Sequence, residues 1–164
     1  KSGKDYPKER LDKFQITQKM NDALGVFVTL KKKGHLRGCI GHIIGQFPLY
    51  VGIIENAVNA AARDPRFPAV TENELGDIDI EISVLTPLKD VESIDQIEVG
   101  VHGVVLKNGY HSGVFLPQVP TEQGWNKTTY LEQLGMKAGM DTNAYKHPNT
   151  QLQSFKAIVF HEKK

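Results

Sequence analysis

The stretch LRGCIG, residues 36 to 41, holds the single cysteine of the chain, Cys39, between two glycines and two residues after Arg37. A thiol near a guanidinium is a chemical combination. The positive charge favours the thiolate and lowers the thiol pKa from its free value of about 8.5. If residues 35 to 40 form one strand, Leu36 and Ile40 share a face, and Arg37 and Cys39 share the other. Gly38 and Gly41 would let a ligand or another backbone approach closely. The opposite reading stays open, because free cysteine is among the most buried residue types and is usually inert.

Other side chains could serve such a thiol. His102 precedes Gly103 in a valine-rich stretch, and an imidazole titrates near neutrality, so it could act as the base. A core histidine with one hydrogen-bond partner would look the same. Glu81 lies mid-strand on a polar face with Asp77, Asp79 and Ser83. It reads as a general acid or base, as a partner for Arg37, or as part of a solvated sheet face. RDPRF supplies Arg63, Asp64 and Arg66 at the end of a helix. Two arginines in a proline-stiffened loop suit a carboxylate or phosphate ligand; a local Asp64–arginine pair that orders the loop is the plainer account. Gln118, in LPQVP, offers an amide to a ligand or to nearby backbone. The six histidines have no metal-ligand spacing, and HExxH and CxxC are absent, so no tight transition-metal site is expected. Neither GxGxxG after a strand nor GxxxxGK[ST] occurs, so ordinary dinucleotide or P-loop chemistry is not indicated, and no cofactor is predicted. Trp125 reads as a core anchor.

These residues need a scaffold. VFVTL, KKKG and HLRGCI read as strand, turn and strand, a hairpin. PLYVGIIENAVNAAARD reads as a helix stopped by Pro65, with Tyr50, Ile54, Ala57, Val58 and Ala61 on its apolar face and Asn56, Asn59 and Arg63 on a polar one. DIDIEISVL alternates cleanly, which predicts a strand burying Ile78, Ile80, Ile82 and Val84. Asn108-Gly109 marks the turn of a second hairpin, which LPQVP then breaks. NKTTYLEQLGMKAGM reads as a helix with Asn126 or Thr128 at its start, Lys137 in its last turn and Gly139 as terminator. SFKAIVFH reads as one closing strand. Hairpins mixed with two helices predict an α+β fold, a largely antiparallel sheet with helices packed against it. Residues 1 to 20 read as an extended basic arm, and no linker divides residues 1 to 164 into two domains. With 164 residues, 40% hydrophobic and 24% charged, the chain has the composition of one soluble globular domain. A net charge of +1 provides no strong field for nucleic acid or an anionic membrane surface. One cysteine cannot form an internal disulfide, and no apolar run reaches membrane-helix length, so a cytoplasmic protein is expected.

FVTL, LRGCIG, AARDPRF, EISVLTP, the His-Gly pair, LPQVPTEQGW and KAG together, in this order, resemble the AMMECR family, whose prokaryotic members are called AmmeMemoRadiSam system protein A. The resemblance spans roughly residues 25 to 160. It implies an α+β protein of a larger and a smaller lobe, with a core similar to that of several nucleic-acid-, nucleotide- and peptide-binding proteins. It also implies a shared modification pathway with Memo-family and radical-SAM proteins. By motif, Arg37, Gly38, Cys39, Gly41, Asp64, Arg66, Glu81, His102 and Gln118 are the matching positions. The pattern departs from the family at Gly135, where a second cysteine is usual, and at Val101, where a basic residue is. The helix usual before the first hairpin is expected to be missing. Three functions follow as expectations. One is a thiol-dependent transferase or hydrolase using Cys39, with Arg37 as activator and His102 or Glu81 moving the proton. The others are a module binding a nucleotide, RNA or peptide, and an adaptor for the Memo partner.

Overall fold

The computed structural model describes residues 12–162. Chain order explains most of the architecture. Strand β1 (Val26–Lys32) turns back into β2 (His35–His42) through Lys33 and Gly34, at φ 51° and 81°. Two positive φ angles give a two-residue turn whose twist matches that of the flanking strands. Helix α1 (Leu49–Ala62) follows, then β3 (Ile78–Leu85), which pairs with β1. The short β4 (Lys89–Asp90) leaves this sheet for a second one. There β5 (Gly103–Asn108) and β6 (His111–Phe115) form the second hairpin. Gly109, at φ 58°, opens its turn, one residue on from the midpoint expected at Asn108-Gly109.

Helix α2 (Gln118–Glu122) and α3 (Lys127–Lys137) come next. Asn126 caps α3 by accepting a hydrogen bond from Thr129 N–H at 2.9 Å, and Lys137 closes its last turn. Strands β7 (Gln151–Phe155) and β8 (Ala157–His161) end the described chain. The result is α+β, with two antiparallel four-stranded sheets ordered β2-β1-β3-β8 and β4-β7-β5-β6. One apolar cluster joins α1 to the first sheet. A second joins α3 to the second sheet. A third, built on Leu85, Val105, Leu116 and Phe155, lies where the sheets meet.

Several expectations change here. SFKAIVFH is not one strand: the break at Lys156 sends β7 and β8 into different sheets. LPQVP does not simply interrupt the chain, since α2 starts within it. Of the expected extended arm, residues 1–11 lie outside the described residues, and Gln18–Asn21 forms a 3-10 turn.

The alternation in β3 predicts one buried face, and the structure buries parts of both: Ile78 is buried and Ile82 packs on the α1 cluster, as expected. Glu81 and Ser83 are buried, whereas Ile80 is 36% exposed. Two layers cover the first sheet, so polarity along β3 does not mark solvent. On the isoleucine side α1 packs on β1 and β2, leaving Ile80 under-covered. The face of α1 is also rotated from expectation. Leu49, Gly52, Asn56 and Ala60 are its buried residues, and Val58 is exposed. Asn56 is buried where a polar face was expected; its Nδ2 lies 3.2 Å from His42 Nδ1, and its Oδ1 has no partner among the described residues.

Candidate functional site

The registers of β1 with its two neighbours decide which side chains meet. Thr29 sits opposite Cys39 on one side and Glu81 on the other. These three side chains therefore share a face in the middle of the sheet. The β1–β2 register then shifts, from Leu30 opposite Gly38 to Lys31 opposite Leu36. Arg37 is the extra residue of this β-bulge, and a bulge reverses the alternation beyond it.

Consequently Arg37 and Cys39 do not share a face, contrary to the strand-parity argument. Leu36 takes the place on the Cys39 side. Arg37 turns to the α1 side, donating to Glu74 from Nε at 3.1 Å and from Nη2 at 3.0 Å. It also donates to the carbonyls of Pro68 at 2.8 Å and Ala69 at 3.3 Å. Lys32 reaches the same carboxylate at 2.9 Å. These contacts hold Glu74 far below the usual carboxylate range. They bind the loop after α1 to the hairpin and hold the Arg37 guanidinium away from the thiol.

The two flanking glycines have packing reasons. A side chain at Gly38 would run into the Ala60 carbonyl of α1, and one at Gly41 into the Phe27 ring and the Val26 carbonyl. They allow close approach, as glycines in strands do, but what approaches is the protein itself.

Asp64 is the keystone under Cys39. Only 1% of its side chain is exposed. Its carboxylate accepts from the Cys39 backbone N–H at 2.9 Å. It also accepts from the Arg66 backbone N–H at 3.1 Å, Nε at 3.0 Å and Nη2 at 2.7 Å. Arg66 holds the carboxyl well below its ordinary range, with the backbone donors adding to that. Arg66 Nη2 also donates to the Cys39 carbonyl at 3.3 Å. Both backbone groups of Cys39 are thus engaged by the RDPRF loop. Arg63 takes no part: it caps α1 and donates to Asn59 at 3.1 Å, in solvent.

Cys39 Sγ accepts from the Thr29 hydroxyl at 3.2 Å. Burial pushes its pKa up; the Thr29 bond and the Arg66 charge pull down less, and the Asp64 and Glu81 charges oppose ionisation. It is a resting thiol, not an activated one. Glu81 is buried and paired, with Lys31 Nζ at 3.0 Å and His161 Nδ1 at 3.4 Å. His102 lies elsewhere. Its Nδ1 accepts the Glu98 N–H at 3.0 Å, and its carbonyl accepts the Tyr130 hydroxyl at 3.1 Å. It holds the turn before β5 and is no base for Cys39.

The face carrying Thr29, Cys39 and Glu81 forms the floor of a cleft of about 770 Å³ between the first sheet and the β6–α2–α3 side of the second. Arg66 and Asp64 stand at one wall; Gln118 and Lys137 stand at the other. Gln118 Oε1 is buried without a hydrogen-bond partner. Lys137 donates to the Val114 carbonyl at 2.7 Å and lies 4.3 Å from the centre of the Phe115 ring. More than a third of the Lys137 side chain meets solvent, yet protein packed around its ammonium pushes the pKa down, with the Arg66 charge adding to this. Trp125 stacks its edge on Phe115 at 5.4 Å, as a core anchor. Among the described residues, no three of His, Cys, Asp and Glu converge as a metal cluster.

Of the residues singled out in the sequence, Cys39, Asp64, Arg66, Glu81 and Gln118 line the cleft; Thr29, Lys31 and Lys137 line it too and were not singled out as site residues. The pairing of β1 carried the signal for the first two, since whatever lies opposite Cys39 shares its face. Lys137 was read only as a helix-end cation.

An α+β protein of two antiparallel sheets with a ligand-sized cleft between them defines the class. The AMMECR1 family profile matches residues 3–160, and the chain belongs to that family. A protein of Methanothermobacter thermautotrophicus is 48% identical over 144 residues, 84% of this chain and 75% of that one. Protein MK0488 of Methanopyrus kandleri is 39% identical over 163 residues, 94% of this chain and 79% of that one. Among solved structures, the uncharacterized protein PH0010 from Pyrococcus horikoshii is similar with a TM-score of 0.85 and 34% identity, over 92% of this chain and 81% of that one.

Proposed function

We propose that this protein is a binding module whose inter-sheet cleft takes a small ligand, free or as part of a nucleotide, RNA or peptide. The observation that carries this reading is the cleft itself. At about 770 Å³ it falls in the range of small-molecule sites, and it pairs apolar walls with a few convergent polar groups. Phe27, Leu36 and Val119 supply apolar wall; Arg66, Lys137 and Gln118 supply the polar groups. Cys39 contributes a neutral, polarizable contact on the floor.

A thiol-dependent transferase or hydrolase is the second reading. The Thr29 bond and the Arg66 charge favour it, since both stabilise a thiolate at Cys39. The burial of the thiol and the absence of Arg37 and His102 from its surroundings weigh against it. In either reading, residues 1 to 164 act as a single domain in the cytoplasm, beside Memo-family and radical-SAM partners. That part rests on the family resemblance, and co-purification from native cells tests it. Among the described residues no helix is long and apolar enough to cross a membrane.

Amide NMR with a chemically mixed library of small metabolites, neutral, cationic and anionic, tests the binding reading. Hits are expected to shift the Thr29, Cys39, Gln118 and Lys137 signals together. A library in which no compound moves them would overturn it.

A further inference from the structure

We propose that the cleft selects a ligand carrying an anionic group for Lys137 and Arg66 and a neighbouring N–H donor for Gln118 Oε1. This rests on the cleft being a ligand site, and it names the chemistry of what enters.

The charges lining the cleft are almost fully committed. Asp64 is used by Arg66 and the Cys39 backbone, and Glu81 by Lys31 and His161. Glu122 is exposed at the rim. Lys137 is different: the protein group it bonds is a neutral carbonyl, that of Val114. An ammonium has three donors; one goes to Val114 and the Phe115 ring takes up one side of the group, which leaves a donor for a ligand.

Arg66 is also incompletely used. Its Nε and Nη2 serve Asp64 and Cys39. Among the described residues no protein group engages Nη1, and 54% of the side chain is exposed. Lys137 and Arg66 line the same cleft, and an anion bound beside both offsets the repulsion of two like charges.

Gln118 supplies an independent observation. A buried carbonyl oxygen without a donor costs about 1–3 kcal/mol, and such groups call for an explanation. A ligand N–H that the Gln118 amide turns outward to meet in the cleft is one. A carboxylate beside an amide N–H meets both demands, and so does a phosphate attached to a base with an exocyclic amine. The shared chemistry is an anion with an N–H donor within one small molecule.

The probes are N-acetylalanine for the carboxylate source and adenosine monophosphate for the phosphate source, with inorganic phosphate and adenosine as partial probes. Each is titrated by amide NMR into the wild-type chain and into Lys137→Met and Gln118→Leu. One of the two full probes is expected to shift the signals of residues 114–118 and 137, and the one that does identifies the source. Lys137→Met should weaken it at least tenfold, and Lys137→Arg should retain most of the affinity. Gln118→Leu should weaken the full probe and leave inorganic phosphate unchanged. If Lys137→Met does not fold, Lys137→Gln replaces it.

Neither full probe shifting these signals at millimolar concentration overturns the proposal. So does binding that is indifferent to Lys137. Library hits that are neutral or cationic and unaffected by Lys137→Met would refute the anion subsite while leaving the binding cleft standing. A library without any hit at the cleft removes both.

Discussion

Replacing Asp64 by Asn tests the keystone role most directly. The substitution keeps the shape and one acceptor oxygen. It removes the charge that Arg66 pairs with and sets an amide N–H against the Cys39 N–H, donor to donor. A charge-assisted hydrogen bond is worth about 1.5–3 kcal/mol. The Cys39 bond is buried and counts near full value. The Arg66 pair has a half-exposed partner, so solvent screens it towards the ~0–1 kcal/mol of a surface ion pair. The two together predict a cost of about 1.5–4 kcal/mol at pH 7.

The sign of the pH dependence follows from the depressed carboxyl of Asp64. A carboxylate whose folded pKa lies below its unfolded value contributes stability that is complete above the unfolded pKa. That stability drains away as pH falls towards the folded value. With an unfolded pKa of about 3.9 and a folded one well below 3, the unfolded chain gains about 1.3 kcal/mol from protonation by pH 3. Urea unfolding of wild type and Asp64→Asn at pH 7 and pH 3 measures the difference. Other carboxylates, Glu74 included, titrate in both proteins and cancel. The gap between the two should shrink by about 1.3 kcal/mol at the lower pH. An unchanged gap, or a cost below about 0.5 kcal/mol at pH 7, would refute the account of Asp64 as a charged clamp.

Iodoacetamide should alkylate Cys39 slowly at pH 7, with the rate rising only above the ordinary thiol range, because burial raises its pKa; a half-maximal rate below pH 8 would restore the activated-thiol reading. Arg37→Lys should leave that pH profile in place, since Arg37 lies on the other face of the sheet, and a shifted profile would contradict the bulge. Leu30→Ala should cost about 2–5 kcal/mol, and Ile80→Ala, on its more exposed neighbour across the ladder, less than half of that; equal costs in urea would show that the alternation in β3 marks the buried face after all. Gly38→Ala should cost about 3 kcal/mol or abolish soluble expression, because its methyl meets a helix carbonyl. A thermal midpoint within a degree of wild type would dismiss that packing role.

Local signals determined the elements. Gly34 and Gly109 mark turns at positive φ, which residues with a side chain adopt only with strain. Asn126 caps α3 because its side chain can replace a missing helix partner. Period-two and period-3.6 patterns located β3, α1 and α3, and the order of hairpins and helices was enough for an α+β class. LRGCIG and RDPRF were each legible as candidate chemistry, but only the fold brings Asp64 and Arg66 against the Cys39 backbone.

Which side of each element is buried depended on contacts far along the chain. One extra residue at Arg37 reverses strand parity, and no local pattern near LRGCIG announces it. Beyond the bulge the Arg37 guanidinium is held by Glu74, 37 residues away. Glu81 looks solvent-facing in sequence and is buried, because a second sheet covers the polar side of the first. His102 sits in the turn leading into the second sheet and Cys39 in the first sheet, so a base and a nucleophile that sequence alone could pair never meet. Lys137 and Gln118 enter the cleft only because the β6–α2–α3 segment packs across from β1. Side-chain type and spacing fix what a residue can do; long-range packing decides which residues are within reach to do it.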